Sequence, residues 1–456
     1  MSLNRPEFLS HGERARLFPV LSDSSKEGRA TSIFLACLAN VEEFSDELLS
    51  SVGRKIGKTS RVRSYTEVCF KNSGSEMEGR PDGLIEVKTG KNFWNALVEA
   101  KIGNAELNSE QISTYLRIAR ANDIDAVITI SNQFASSPTH HPVDVDKRLL
   151  KSVSLFHWSW MHILTTADLL LTNEQIADAD QRVILNELRR FLSHDSTGVR
   201  GFEKMPKAWP EVVRGLEKGQ QISPRTEGVN DIIVAWHQEL RDLGLILSRQ
   251  IGVQVSTKLS KELAKDQHKR EKRDIQVFAS ESKLEAALLI PEAAANLDLC
   301  VDARARNISA SMKIAAPADR KSTAARINWL LRQISNIDTK DVFVRVFWPR
   351  RGFVQFELAA LLEDVSVANN PHALEPANFF EVAIIRNTRA RFVQLKGFIE
   401  DLEDLVPEFY SRIGVKLKVW RPPSPKIRDD RLVSDDVTPE AIAEDAEEAV
   451  DRGLDS

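Results

Sequence analysis

The chain has 456 residues, 42% hydrophobic and 28% charged, with 62 Lys and Arg against 66 Asp and Glu. That length exceeds one ordinary core and predicts two or three domains. No apolar run reaches the ~20 residues of a membrane span, the N-terminus lacks a secretory apolar segment, and no membrane partner is expected.

A helix is expected over about 26–49, where Ser24 and Glu27 have capping-box spacing and Ile33, Leu35 and Leu38 begin an apolar stripe. Cys37, Cys69 and Cys300 are scattered without CxxC spacing, which argues against a zinc knuckle or disulfide frame and predicts a reduced, cytoplasmic protein. Strand-like runs follow at 61–70, 83–88 and 93–102, then a helix over 108–123 capped by Asn108 or Ser109. The wholly apolar run at 125–131 reads as a strand covered on both faces, and 153–163 as a further strand. A helix around 180–192 completes an α/β unit over 1–200.

Beyond residue 205 the pattern changes. Val229, Ile233, Trp236, Leu240, Leu243 and Leu247 are spaced 4-3-4-3-4, which suits a helix packed within a domain of a 208–270 connector, or a homodimer seam weakened by Gly244. Residues 257–274 mix both charge signs and read as a solvated helix face. A C-terminal α+β unit is expected over 271–420, with a helix at 321–335 and a hairpin at 341–358 turning at Pro349–Gly352. From Arg428 onward eleven acidic residues face three basic ones, a net of −8 that leaves +4 on the rest of a chain totalling −4. That acidic tail, 421–456, is expected to be disordered, and the mildly basic body is compatible with nucleic acid.

Three charged residues interrupt apolar segments in the first unit: Asp82, Glu99 and Lys101. Strand alternation puts Asn95, Leu97, Glu99 and Lys101 on one face, opposite Trp94, Ala96, Val98 and Ala100. The segment 89–92 suits a two-residue hairpin turn, and if Thr89 faces Asn92, the register sets Asp82 opposite Glu99. Opposed residues have Cβ atoms ~5 Å apart, so two such carboxylates repel unless a cation lies between them. A hard divalent ion bound by oxygen, Mg²⁺ above all, fits that demand.

Pro81-Asp82, sixteen residues, then Glu99-Ala100-Lys101 resembles the motif of the PD-(D/E)XK nuclease superfamily, whose core is a mixed sheet flanked by helices. Gln111 and Tyr115, four apart on one helix face, match the QxxxY element of one branch of it. The resemblance implies a restriction-endonuclease-like core and hydrolysis of phosphodiester bonds to a 5′-phosphate and a 3′-hydroxyl, with DNA ahead of RNA. It implies that Asp82, Glu99 and the Ala100 carbonyl hold Mg²⁺, with Mn²⁺ as substitute. Lys101 would act on the attacking water, Gln111 and Tyr115 would contact substrate or steady the Lys101 strand, and Glu27 is a candidate further ligand. By analogy a bacterial restriction or anti-phage role follows. The competing expectation is a catalytically silent nuclease-fold module that binds nucleic acid or regulates, with an ordinary salt-bridged cluster at these residues.

Other polar residues attract less. His140 and His141 read as a surface pair, and His157 and His162 as sheet residues with satisfied rings. Glu67, on the first strand, is a weak candidate. In the C-terminal unit Arg304, Arg306, Lys313, Arg320, Lys321, Arg326 and Arg332, then Arg345, Arg350 and Arg351 near Trp348, suit phosphate contact and base stacking. No P-loop or GxGxxG is present, which argues against a built-in ATPase.

Overall fold

A computed structural model describes residues 5–19, 25–57, 59–71, 79–135, 137–368 and 375–422. Ser24 and the acidic tail beyond Pro422 lie outside the described residues. The architecture is mixed α/β and contains two sheets.

The first sheet runs β1 (Leu9–Arg14), β2 (Ser60–Phe70), β3 (Gly83–Thr89), β4 (Asn92–Ala100), β5 (Ala126–Ser131) and β6 (Ser154–Ser159), in that spatial order. The first four strands pair antiparallel and the last two join in parallel, so the sheet is mixed. Helices α1 (Lys26–Asn40), α2 (Glu42–Ser51), α4 (Trp160–Thr172) and α5 (Ala179–Leu192) build one core with Ile85, Val98, Ile128 and Trp158. Helix α3 (Ser109–Ala121) covers the opposite face through Ile112, Tyr115 and Leu116 against Leu84 and Leu97. With both faces covered, all six residues of β5 are buried, as its unbroken apolar run predicts.

Two boundaries differ from the sequence expectation. The first helix is two: Val41 turns extended (φ −116°, ψ 110°) between α1 and α2. Its own side chain stays buried, so the apolar stripe continues across the break and conceals it. Ser25 occupies the cap position of α1 without a side-chain cap bond, and the capping box expected from Ser24 and Glu27 lies outside the described residues with Ser24. The strand expected over 153–163 stops at Ser159, whose hydroxyl accepts the His162 amide at 3.1 Å and starts α4. His162 is therefore helical, not a sheet residue. Its Nδ1 accepts from Arg241 at 3.4 Å while Nε2 is buried without a partner.

The connecting region holds α6 (Trp209–Glu217), α7 (Val229–Ile251), α8 (Lys261–Lys265) and α9 (Gln267–Glu281). The second sheet, antiparallel throughout, comprises β7 (Ser256–Thr257), β8 (Lys283–Leu289), β9 (Leu297–Asp302), β10 (Asn307–Ala315), β11 (Val342–Trp348), β12 (Gly352–Glu357) and β13 (Phe379–Asn387). Its order is β12-β11-β13-β10-β9-β8-β7. Helices α10 (Thr323–Ile334), α11 (Leu358–Glu363) and α12 (Leu395–Arg412) join its core.

The six residues of the α7 seam are all buried in the chain's own second core, while Leu245 enters the first. The seam is internal, so it offers no face for a second copy. Gly244 lies where the chain returns past α7, and a Cβ there would stand 3.4 Å from the Val255 carbonyl, an ordinary contact distance. Two side-chain links tie α7 to α4: Arg241 to His162, and Arg249 donating to the Thr165 hydroxyl at 2.7 Å. The mixed-charge stretch at 257–274 is not wholly solvated, because Arg270 is buried beside Asp274, which in turn contacts His237 at 2.7 Å. Among the described residues, no helix is long and apolar enough to cross a membrane.

Candidate active site

The β3–β4 hairpin follows the register read from its turn: Thr89 faces Asn92 and Gly83 faces Val98. Asp82 is the next residue out. Its carboxylate leaves the ladder and accepts the Ala100 amide at 2.8 Å, which brings it beside Glu99. A close approach makes this possible. A Cβ on Gly83 would lie 2.4 Å from Leu35 of α1 and 2.9 Å from the Tyr65 carbonyl, so only glycine lets α1 press on the strand here.

Glu99 is 2% exposed. Its Oε1 accepts from the Lys101 ammonium at 2.5 Å, and among the described residues its buried Oε2 has no closed hydrogen bond, the neighbouring Tyr115 hydroxyl being turned to the Arg80 carbonyl. The Lys101 Nζ also reaches Glu27 Oε1 of α1 at 3.1 Å. Lys101 therefore bridges the end of α1 to the end of β4. Its main chain is fixed as well: the Lys101 amide donates to the Ile130 carbonyl at 2.7 Å, and the Trp160 indole donates to the Lys101 carbonyl at 2.9 Å.

The electrostatics follow from burial. Burial raises the Asp82 carboxyl, the Glu99 charge adds to it, and together they bring it to about 7 despite the Ala100 amide and Lys101. Burial also raises Glu99 against the pull of Lys101. For Lys101, burial opposes the charged form, but Glu99, Glu27 and Asp82 outweigh it and hold the ammonium above its ordinary value. Two carboxylates thus share a space with one ammonium, and one buried oxygen remains open.

Gln111 and Tyr115 come together as their spacing predicts: the Gln111 amide donates to the Tyr115 hydroxyl at 2.9 Å. The hydroxyl lies beside Glu99 and donates to the Arg80 carbonyl at 3.3 Å, which steadies the segment entering Asp82. Asn108 anchors that helix, accepting the Glu110 and Gln111 amides at 2.7 and 3.3 Å. Glu67 pairs with Arg80 at the rim, and a cleft on this side is lined by Arg14, Arg16, Ser32, Thr66, Glu67 and Asp82.

Thr129 and the inward course of His141 escape a sequence reading, while His157 is the satisfied sheet residue expected. Glu99 pairs with Thr129 of β5, and Thr129 with His157 of β6, so one polar row crosses the sheet from Asp82. The Gln133 carbonyl can only accept, so His157 Nε2 donates to it at 2.9 Å, and Nδ1 accepts from Thr129 at 2.9 Å. The Thr129 oxygen lies 2.7 Å from His141 Nε2, and His141 Nδ1 lies 3.0 Å from both the Val143 amide and the Val143 carbonyl. Both rings are neutral in this chain. His141 is therefore no surface group but the inner end of its loop. The lone threonine in the apolar run "AVITIS", opposite Glu99, was the available signal.

Asp82, Glu99 and the Ala100 carbonyl could hold a divalent cation, and the open Glu99 Oε2 fits such a ligand role. Among the described residues no three His, Cys, Asp or Glu side chains converge as a ready-made metal group, so water or substrate oxygens would complete the shell. Glu27 here serves Lys101. Trp348, expected beside the C-terminal arginines, is 4% exposed and belongs to the second core. Arg306 pairs with Glu217, and Arg326 donates to the Ala377 carbonyl at 2.6 Å, so neither is free for phosphate. No family model matches the chain, and no curated protein matches it in sequence.

Proposed function

We propose that the chain is a divalent-cation-dependent nuclease of the PD-(D/E)XK kind, hydrolysing phosphodiester bonds, with DNA ahead of RNA as substrate. The observation that carries this reading is the juxtaposition of Asp82 and Glu99, both held at raised pKa by burial, with Lys101 on Glu99 at 2.5 Å. The order of elements, with a helix before the motif-bearing hairpin and α3 and β5 after it, supports it further.

Asp82, Glu99 and the Ala100 carbonyl would hold Mg²⁺, with Mn²⁺ as a substitute. When bound, the ion supplies a Lewis acid beside the scissile phosphate. The Lys101 ammonium orients the attacking water and offsets charge that builds on the phosphoryl oxygens. Glu27 keeps that ammonium turned toward Glu99, and the Gln111–Tyr115 pair fixes the Arg80 carbonyl next to Asp82. Arg14 lines the cleft at Asp82 and suits an approaching phosphate chain, while Arg16 there is paired with Glu13 of the same lining at 3.0 Å.

A second reading has one observation in its favour: Lys101 already bonds Glu99 and Glu27, as in a closed ion-pair cluster. It makes the chain a silent nucleic-acid-binding or regulatory module. Incubating the full chain with plasmid and Mg²⁺, beside Glu99→Ala and Lys101→Ala, separates the two. The nuclease reading expects each substitution to slow cleavage at least about a hundredfold. Equal cleavage by all three, or none by the wild type with Mg²⁺ or Mn²⁺, would defeat it.

A further inference from the structure

The second sheet packs its helices against one face only. Along β11, Val342, Val344 and Val346 enter the core, while Phe343, Arg345 and Phe347 point the other way. Cross-strand register sets Phe347 between Phe353 of β12 and Phe379 of β13.

At that corner three phenylalanines form one surface. The Phe347 and Phe353 ring centroids are 5.1 Å apart. The Lys313 ammonium of β10 lies 3.7 Å from the Phe347 ring centre and 5.3 Å from that of Phe379. The Arg345 guanidinium sits 5.4 Å from the Phe353 ring centre. Yet the cations leave the rings open: Phe353 is 51% and Phe379 41% exposed. Scattered apolar residues on a surface are ordinary, but a cluster of rings rimmed by cations marks a contact site.

Charge identifies the occupant. Arg350 and Arg351 form the turn between the two phenylalanine-bearing strands, are exposed, and among the described residues make no ion pair. Glu381, the nearest carboxylate on the face, is already bound by Arg345 at 3.0 Å. Of the other acids on this face, Asp298 of β9 lies within electrostatic reach of Lys313 and Glu381, Glu357 sits at the far end of β12 from the turn, and Glu285 is farther out on β8. The corner therefore offers ring faces for bases and cations for phosphates, the pairing that single strands use. A duplex hides its base faces and would leave the rings uncovered.

We propose that this corner, built from Phe347, Phe353, Phe379, Lys313, Arg350 and Arg351, is a docking platform for single-stranded DNA. The choice of DNA over RNA rests on the nuclease reading; the stacking argument does not. The platform lies on the second sheet, so it would hold a strand by contacts separate from those at Asp82 and Glu99.

The test is fluorescence anisotropy of a labelled oligothymidylate of about 20 nucleotides with the full chain in EDTA, where no metal-dependent cleavage occurs. The wild type should bind, and Phe353→Ala with Phe379→Ala should weaken binding at least about tenfold. Phe353→Leu with Phe379→Leu keeps apolar bulk without rings and should weaken it as well. Arg350→Ala with Arg351→Ala should lower the salt dependence. Binding is read here without cleavage, so a failed cleavage assay leaves this result standing. Unchanged affinity in the phenylalanine variants overturns the proposal. So does tighter binding of duplex or of the matching RNA, or an absence of binding by the wild type.

Discussion

The first sheet is covered by helices on both faces, and the second on one. In the first, charged side chains can persist only by facing each other, and Asp82, Glu99 and Lys101 do so under strong desolvation. In the second, the uncovered face carries rings and cations in water, where each group is held loosely and contributes little to folding. Chemistry that needs perturbed groups belongs to the closed sheet, and recognition that needs accessible surface belongs to the open one.

The sharpest way to break this contrast is steric. Gly83→Val should cost about 3 kcal/mol in denaturant unfolding, because the added atoms meet Leu35 and the Tyr65 main chain. Phe353→Ala on the open face should stay within about 0.5 kcal/mol. Similar losses at both sites would erase the distinction.

Acid should act on the closed sheet next. Burial pushes His141 down to about 4 and His157 to about 3, against an ordinary 6.5. Both values are depressed for a base, so the folded state binds fewer protons than the unfolded one. Stability is then complete above about pH 6.5 and falls as pH drops toward 4, by up to about 1.4 kcal/mol per pH unit for each ring. Urea titrations at several pH values should show this slope, and His141→Gln should reduce it by one ring's share while His157 and His162, also lowered to about 3 by burial, keep the rest. A profile level down to pH 4.5 would contradict the neutral chain through Thr129.

A smaller effect of opposite sense is expected at Asp82. Its carboxyl is raised to about 7, so the folded state favours the proton and the apoprotein loses stability as pH rises from about 4 through 7. Asp82→Asn should therefore gain about 1 kcal/mol at pH 8, read by thermal melting, while losing any Mg²⁺-induced rise in Tm. Smallest of all, Arg345→Gln removes a partly exposed pair with Glu381 and should change stability by less than about 0.5 kcal/mol.

How much of this was readable depended on whether a feature is local. The Thr89–Asn92 turn spans four residues and fixes its own register, so the approach of Asp82 to Glu99 followed from arithmetic. Gln111 and Tyr115 lie one helical turn apart and met for the same reason. His141 could not be placed that way: its partners lie 12 and 16 residues away on separate strands, and a loop's path inward is decided by packing. The start of α4 was missed because Trp158 and Trp160 are both buried, so strand and helix patterns coincide there, although Ser159 was a usable cap signal. The phenylalanine corner was half legible. Alternation along β11 was plain, but which face stays open depends on helices far away in sequence.

The indole of Trp160 holds the Lys101 carbonyl from the first turn of α4, and the next turns of α4 are gripped by Arg241 and Arg249 of α7. That makes α4 a rigid strut between the long helix and the amine at the carboxylates. The lysine backbone and the long helix are thus joined through a single helix.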